Sequence, residues 1–187
     1  MNATLRRILL LAAGTGLLAG CQTLKPMPTV ASVDLSRFMG DWYVIANIPT
    51  FIERGAHNAI ESYRLAADGT IETTFTFRDG AFDGPPKAYH PRGFVRDRQS
   101  NALWGMQFVW PIKADYRIVY LDAGYTQTVI AREQRDYVWI MARTPTIPDA
   151  DYQALVQRIA ALGYDVAKIQ KVPQRWPGRM PATDGPG

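Results

Sequence analysis

Between Asp34 and Arg143 the chain alternates short runs rich in Thr, Val, Ile, Phe, Tyr and Trp with polar turn segments. The turns are Ala67-Asp68-Gly69, Arg78-Asp79-Gly80, Asp83-Gly84-Pro85-Pro86, Arg98-Gln99-Ser100-Asn101 and Asp122-Ala123-Gly124. β-Branched and aromatic side chains suit a pleated, half-buried surface, and Gly, Asn, Asp and Pro provide the backbone conformations of tight turns. Evenly spaced strands with no helical period between them predict an antiparallel barrel or sandwich and argue against βαβ units. The period then changes. Tyr152, Leu155, Ile159 and Leu162 recur at spacings of three and four on a polar segment, which predicts one amphipathic helix. Thr146 and Asp149 are candidate caps, Pro148 suits the first turn and Gly163 is the stop. A helix of this length is marginal alone in water, so its apolar stripe is expected to pack on the outside of the β structure.

The ends of the chain differ in kind from this middle. Arg6 and Arg7 precede an apolar or small run from Ile8 to Gly20, the layout of a secretory signal. The run is short for a transmembrane span, which needs about 20 residues. It stops at Leu17-Leu18-Ala19-Gly20-Cys21, which resembles the bacterial lipobox, whose cysteine is acylated before the signal is removed. An ordinary signal with a coincidental cysteine, or an anchoring helix, is the plainer alternative. Against it, Cys21 is the sole cysteine, so it has no disulfide partner and would be an exposed thiol in an oxidising compartment. Several acyl chains on Cys21, each buried methylene contributing roughly 0.8 kcal/mol, would hold the protein on a bilayer without a spanning segment. Gln22 follows where Asp would otherwise stand; by resemblance to sorting in enteric bacteria this favours the outer membrane, with the domain facing the periplasm. The expected organisation is a signal peptide over 1–20, a lipidated Pro-containing tether over 21–33, a folded domain over 34–172 and a disordered Pro- and Gly-rich tail over 173–187.

Composition narrows the function. With 187 residues, 47% hydrophobic and 20% charged, the chain supports one well-buried core. Removing Arg6 and Arg7 with the signal leaves 19 basic against 17 acidic residues. The charges interleave, as in Arg96-Asp97-Arg98 and Arg132-Glu133-Gln134-Arg135-Asp136, so there is no nucleic-acid footprint. No Ser-His-Asp arrangement is visible, Cys21 is consumed by the anchor, and His57 and His90 lack metal-ligand spacing. Neither an enzyme nor a cofactor nor a bound metal is expected.

Three separated segments carry a family resemblance. Gly40-Asp41-Trp42-Tyr43-Val44-Ile45-Ala46 resembles the Gly-x-Trp motif that opens the first lipocalin strand. Tyr116 to Leu121, with Asp122 and Tyr125, resembles the second conserved lipocalin segment, and Tyr137-Val138-Trp139-Ile140-Met141-Ala142-Arg143-Thr144-Pro145 resembles the end of the last strand with its arginine. Phe51-Ile52-Glu53-Arg54-Gly55 and Trp110-Pro111-Ile112-Lys113-Ala114-Asp115-Tyr116 are similar to segments of the bacterial outer-membrane lipocalins, which are themselves similar to apolipoprotein D and the plant temperature-induced lipocalins. Ile112 departs from that pattern, where an aromatic residue is usual. The resemblance covers roughly residues 34–170. It implies an all-β, eight-stranded antiparallel up-and-down barrel with one C-terminal helix outside. It also implies that Trp42 lies inside the closed end with the guanidinium of Arg143 over its ring, a structural pair worth on the order of 1 kcal/mol or more.

Side chains alternate faces along a strand. With Trp42 and Arg143 inward, Val44 and Ala46 should point inward too, while Tyr43 and Ile45 face the helix. Met141, Trp139 and Tyr137 share the face of Arg143. By similarity to other lipocalins the inward set continues with Ala59, Glu61 and Tyr63; Ile71, Thr73, Phe75 and Phe77; Trp104, Met106 and Phe108; and Tyr116, Ile118 and Tyr120. A one-residue slip would invert a whole strand. From this set Val44, Ala46, Glu61, Tyr63, Phe75, Phe77, Trp104, Met106, Phe108, Tyr116, Ile118, Tyr137, Trp139 and Met141 are expected to line a cavity. Their composition suits an apolar ligand.

The resemblance implies storage or transport of a fatty acid such as palmitate, or of a lysophospholipid, during envelope maintenance or stress. Burying about fifteen methylenes amounts to on the order of 12 kcal/mol, against about 4–15 kcal/mol for association and ordering, so micromolar binding is expected. Arg54, His57 and Lys113, in loops placed at the open end, are candidates for meeting a carboxylate or phosphate. The rival reading is an envelope interaction scaffold with a filled barrel, using a loop patch of Phe51, Ile52, Phe82 and Trp110. The sequence does not decide between a monomer and a homodimer.

Overall fold

A computed structural model describes residues 25–176. The expected signal peptide and the acylation candidate Cys21 lie outside the described residues. The strands are β1 (Gly40–Ile48), β2 (Ala56–Leu65), β3 (Ile71–Asp79), β4 (Pro86–Tyr89), β5 (Arg92–Val95), β6 (Leu103–Val109), β7 (Ile112–Leu121), β8 (Gln127–Ala131), β9 (Val138–Ala142) and β10 (Gln170–Lys171). The α-helices are α1 (Leu35–Phe38) and α2 (Asp149–Ala161). Every pairing is antiparallel, the strands follow one another round the wall in chain order, and β9 returns to β1 to close the barrel. β4 and β5 both pair with β3 and together form one interrupted stave, so the closed barrel has eight. β10 adds a short outer pairing to β1.

Two apolar layers follow from the alternation of faces. Inside the barrel, Phe38, Trp42, Val44, Tyr63, Ile71, Phe75, Trp104, Ile118 and Met141 are buried together. Outside it, Tyr43, Ile45, Val129, Val138 and Ile140 pack under Leu155 and Ile159 of α2. The helix therefore gains its stability from the barrel wall rather than from its own sequence. The expected caps do not act. Pro148 holds the cap position of α2 and makes no side-chain cap bond, Asp149 Oδ1 accepts from Lys171 Nζ at 3.3 Å, and the Thr146 carbonyl accepts from Thr144 Oγ1 at 2.7 Å. Gly163 follows the helix at φ +90°, as its stop role requires.

Both expected flexible ends are corrected within the described residues. Residues 25–33 run along the barrel: the Val30 N–H donates to Ile118 O at 2.9 Å, the Val33 N–H to Ser100 O at 2.7 Å, and Met27 and Val33 are buried. These apolar residues anchor a stretch whose prolines and polar groups read as a spacer. Residues 173–176 are likewise held. Pro173 O accepts from the Asn58 N–H at 2.8 Å, Gln174 Nε2 donates to Val44 O at 2.8 Å and Ala59 O at 3.1 Å, and Trp176 meets Tyr43 edge-on at 5.5 Å.

Two β-bulges redirect side chains. Ile45 is an extra residue between Val44, opposite Met141, and Ala46, opposite Ile140. Ala46 consequently joins the helix-side layer, correcting its expected cavity position, and Asn47 takes the place opposite Trp139. A second bulge between Ile118 and Tyr120 turns Tyr120 to the outside, where the Arg158 guanidinium lies 4.7 Å from its ring. An inserted residue reverses the face of everything beyond it. Strict alternation could not anticipate either change.

Candidate functional site

The closed end is sealed by α1 and the aromatic side chains it covers. The Arg143 guanidinium sits 3.8 Å over the Trp42 ring. It also donates to five backbone carbonyls: Asp41 O at 2.8 Å, Arg37 O at 2.9 Å, Phe38 O at 3.0 Å, Met39 O at 2.9 Å and Tyr125 O at 3.3 Å. The Trp42 Nε1–H donates to Phe38 O at 2.9 Å. Gly40 has φ +94°, and a Cβ there would stand 3.4 Å from Arg143 Nη1. The glycine of the Gly-x-Trp segment thus supplies a left-handed backbone directly under the arginine.

At the opposite end lies a cavity of about 450 Å3, within the range of small-molecule sites. Of the expected lining residues, the structure brings Glu61, Phe75, Met106, Phe108, Tyr116, Tyr137 and Trp139 together around it. Val44, Tyr63, Phe77, Trp104, Ile118 and Met141 face inward but do not line it. They are buried in the barrel core, because Phe38 and Trp42 pack with Tyr63 and Trp104 into a plug that fills the closed half. Ring centroids there are 5.0 Å apart for Phe38 and Trp42, 5.5 Å for Phe38 and Trp104 and 5.9 Å for Tyr63 and Trp104. Phe77 instead stacks on Tyr89 at 6.2 Å. The cavity occupies only the open half of the barrel.

The mouth holds residues that strand alternation did not single out. Glu53, from the segment linking β1 and β2, accepts from Trp139 Nε1 at 2.6 Å with one oxygen. Its other oxygen accepts from the Thr50 N–H at 2.8 Å and Thr50 Oγ1 at 2.6 Å, tying that segment to β9. Asp115 Oδ2 accepts from Arg117 Nε at 2.9 Å, and Arg117 Nη2 pairs with Glu133 at 2.9 Å. Arg132 lines the cavity. Its Nη1 pairs with Asp136 at 3.2 Å, while its buried Nε has no hydrogen-bond partner among the described residues. The expected head-group candidates are placed elsewhere. Lys113 Nζ lies 3.5 Å over the Phe94 ring, His57 meets Phe82 edge-on at 4.9 Å, and exposed Arg54 is not in the lining. Phe82, expected in an exposed patch, is held between His57 and Arg175.

The cavity floor is polar. The Glu61 carboxyl hydrogen-bonds the Tyr63 hydroxyl, which is 2.7 Å from the Tyr116 hydroxyl. Burial pushes the Glu61 carboxyl up to about 7, against the hydrogen bond from Tyr63 and with a smaller push from the charge of Glu53. The Tyr63 and Tyr116 hydroxyls are pushed well above their ordinary value, by burial first and then by the Glu61 charge.

Comparison with known proteins gives a consistent result. Residues 33–174 match the model of the lipocalin-like domain family. The chain is 30% identical to temperature-induced lipocalin-1 of Arabidopsis thaliana over 162 residues, 80% of this chain and 84% of that protein. It is 29% identical to the outer membrane lipoprotein Blc of Escherichia coli K12 over 185 residues, 91% of this chain and 98% of that protein. The fold also matches insecticyanin of the tobacco hornworm Manduca sexta with a TM-score of 0.63 at 13% identity, covering 79% of this chain and 84% of that one. With a closed eight-stranded barrel, an outer helix, a tryptophan–arginine closure at one end and a cavity at the other, the chain belongs to the lipocalin family.

Proposed function

We propose that the protein is a lipid-binding outer-membrane lipoprotein, anchored through acylated Cys21 and facing the periplasm, that stores or transports fatty acids or lysophospholipids. The observation that carries this reading is the largely apolar cavity with one cation, Arg132, in its lining among the described residues. An acyl chain buried there gains the hydrophobic stabilisation reckoned above, and the positive charge of the Arg132 guanidinium in the lining suits a carboxylate or phosphate at the mouth. Membership of the family and likeness to a named outer membrane lipoprotein support the location. A scaffold with a filled barrel does not fit a cavity of this size. Replacing Arg132 by Met tests the head-group contact. Palmitate affinity should fall about tenfold, as for one charged hydrogen bond, while affinity for the uncharged methyl ester of palmitate changes less than about twofold. Equal changes for the two ligands would remove Arg132 from the reading.

Around the mouth, Phe51 is 79% exposed and Trp110 82%, with Phe108, Val109 and Ile112 also exposed. Phe108, Val109 and Ile112 belong to the cavity lining as well, so apolar surface runs without a break from the rim into the cavity. Such a rim suits contact with a bilayer and passage of lipid from it. Replacing Phe51 and Trp110 together by Ser should slow uptake of a fluorescent fatty acid from vesicles at least about fivefold, with equilibrium affinity for the same ligand in solution little altered. Unchanged uptake would rule out this route.

A further inference from the structure

The Glu61, Tyr63 and Tyr116 side chains form a polar group of unusual composition for the floor of an apolar cavity. Glu61 and Tyr116 line the cavity; Tyr63 lies behind them, joined to both. The donor count is decisive. An ionised carboxylate only accepts hydrogen bonds, and each tyrosine has a single hydroxyl proton. The Tyr63 hydroxyl donates to Glu61 and so must accept from Tyr116, which uses the second proton. Both protons are spent within the group. What remains toward the cavity is acceptor capacity alone, on Glu61 and on the Tyr116 oxygen.

Resting on the cavity as an apolar-ligand site, we propose that this floor recognises a hydroxyl group carried at the buried end of an otherwise apolar ligand, accepting its hydrogen bond at Glu61 and Tyr116. A plain hydrocarbon tail would leave the acceptors unmatched in an apolar surround, which costs more than an ordinary hydrogen bond returns. A ligand carboxylate cannot occupy the floor without meeting the Glu61 charge. It remains at the mouth beside Arg132, and the chain hangs inward with its far end on the floor. The natural ligand class is then a hydroxylated acyl chain.

Protonation of Glu61 should change the preference. The ionisable groups around it are Tyr63 on its own strand, Tyr116 on β7 and Glu53 from the β1–β2 segment, and Asp115, Arg132 and Tyr137 share the same lining. Tyr63 and Tyr116 stay protonated in the ordinary range, so within the hydrogen-bonded group Glu61 alone switches, with a midpoint at about 7. Once protonated it supplies the missing donor, and the floor accepts an ether or carbonyl oxygen as readily as a hydroxyl.

The test measures binding of palmitate and of three pairs of saturated acids of twelve, fourteen and sixteen carbons. Each pair has a terminal hydroxyl in one member and a terminal methoxy in the other, so that only the donor is lost. At pH 8.5 the hydroxy acid should bind at least about tenfold more tightly than its methoxy partner for one chain length or more. At pH 5.5 the ratio should fall below about threefold; because both members share one head group, its own titration cancels. In Glu61→Gln the amide can accept from Tyr63 and donate to the cavity, so the ratio should be near one at both pH values. If Glu61→Gln fails to fold, the pH dependence in the unaltered protein decides. Equal binding within all three pairs at pH 8.5 would overturn the proposal while leaving the lipid-binding reading intact. No binding of palmitate or any of the six acids would overturn both.

Discussion

Replacing Arg143 by Met should lower the unfolding free energy by about 3–4 kcal/mol, the largest single loss expected outside the apolar core. The substitution keeps an apolar stem against Trp42 and removes the charge. With it go a cation–π contact, worth about 2 kcal/mol where desolvated, and the donors to the carbonyls of Arg37, Phe38, Met39, Asp41 and Tyr125. Those bonds are not additive, because some carbonyls would turn to water. The loss should appear in urea unfolding as a lower midpoint with an unchanged slope. Arg158→Met is the control. It removes a cation over Tyr120 at an exposed site and should cost less than about 1 kcal/mol. Equal costs for the two would mean that Arg143 is not what closes the barrel.

Glu61 should give the protein a pH dependence opposite in sign to that of a salt-bridged carboxylate. Its folded carboxyl is held at about 7, against an ordinary value of 4.5. The folded state therefore binds the proton more tightly than the unfolded state. This group's contribution is most favourable below about pH 4.5, declines as the pH rises to about 7 and is flat above, a total loss of about 3 kcal/mol. Other carboxylates change the same curve, so the quantity to measure is the stability of Glu61→Gln relative to the unaltered protein. It should rise by roughly 2–3 kcal/mol in favour of Gln between pH 5 and pH 8. A difference that is constant with pH would mean that Glu61 is ordinarily hydrated.

Much of the architecture was legible because strand alternation, turn chemistry and the change of period at Tyr152 all pointed to one arrangement, and because Trp42 and Arg143 gave it an absolute inside. The departures have separate physical causes. Ala46 and Tyr120 lie just past bulges, and a bulge has no signature in the hydrophobic pattern. Tyr63, Trp104, Ile118 and Met141 face inward as expected, yet how deep the plug reaches depends on the volumes of side chains from several strands, above all Phe38 of α1, which strand alternation alone leaves out. Glu53 and Arg132 come from connecting segments, where period carries no information; Glu53 is held at the cavity by Trp139 of β9, and Arg132 lies over the Tyr137 ring within its own β8–β9 connection. Residues 25–33 read as a spacer from their prolines, although Met27, Val30 and Val33 were signals of docking.

Binding of an acyl chain in the open half of the barrel is expected to be visible on titrating the purified protein with palmitate while following tryptophan fluorescence, since Trp139 lines the cavity, with calorimetry in parallel. Ala114, which also lines it opposite Met106, provides the control as Ala114→Phe, whose ring would occupy the same space. A saturable change should appear near micromolar palmitate and weaken at least about tenfold in Ala114→Phe at unchanged unfolding temperature. No saturable signal by either method from the folded protein, or equal affinity in the variant with the ring in place, would contradict an acyl-binding cavity.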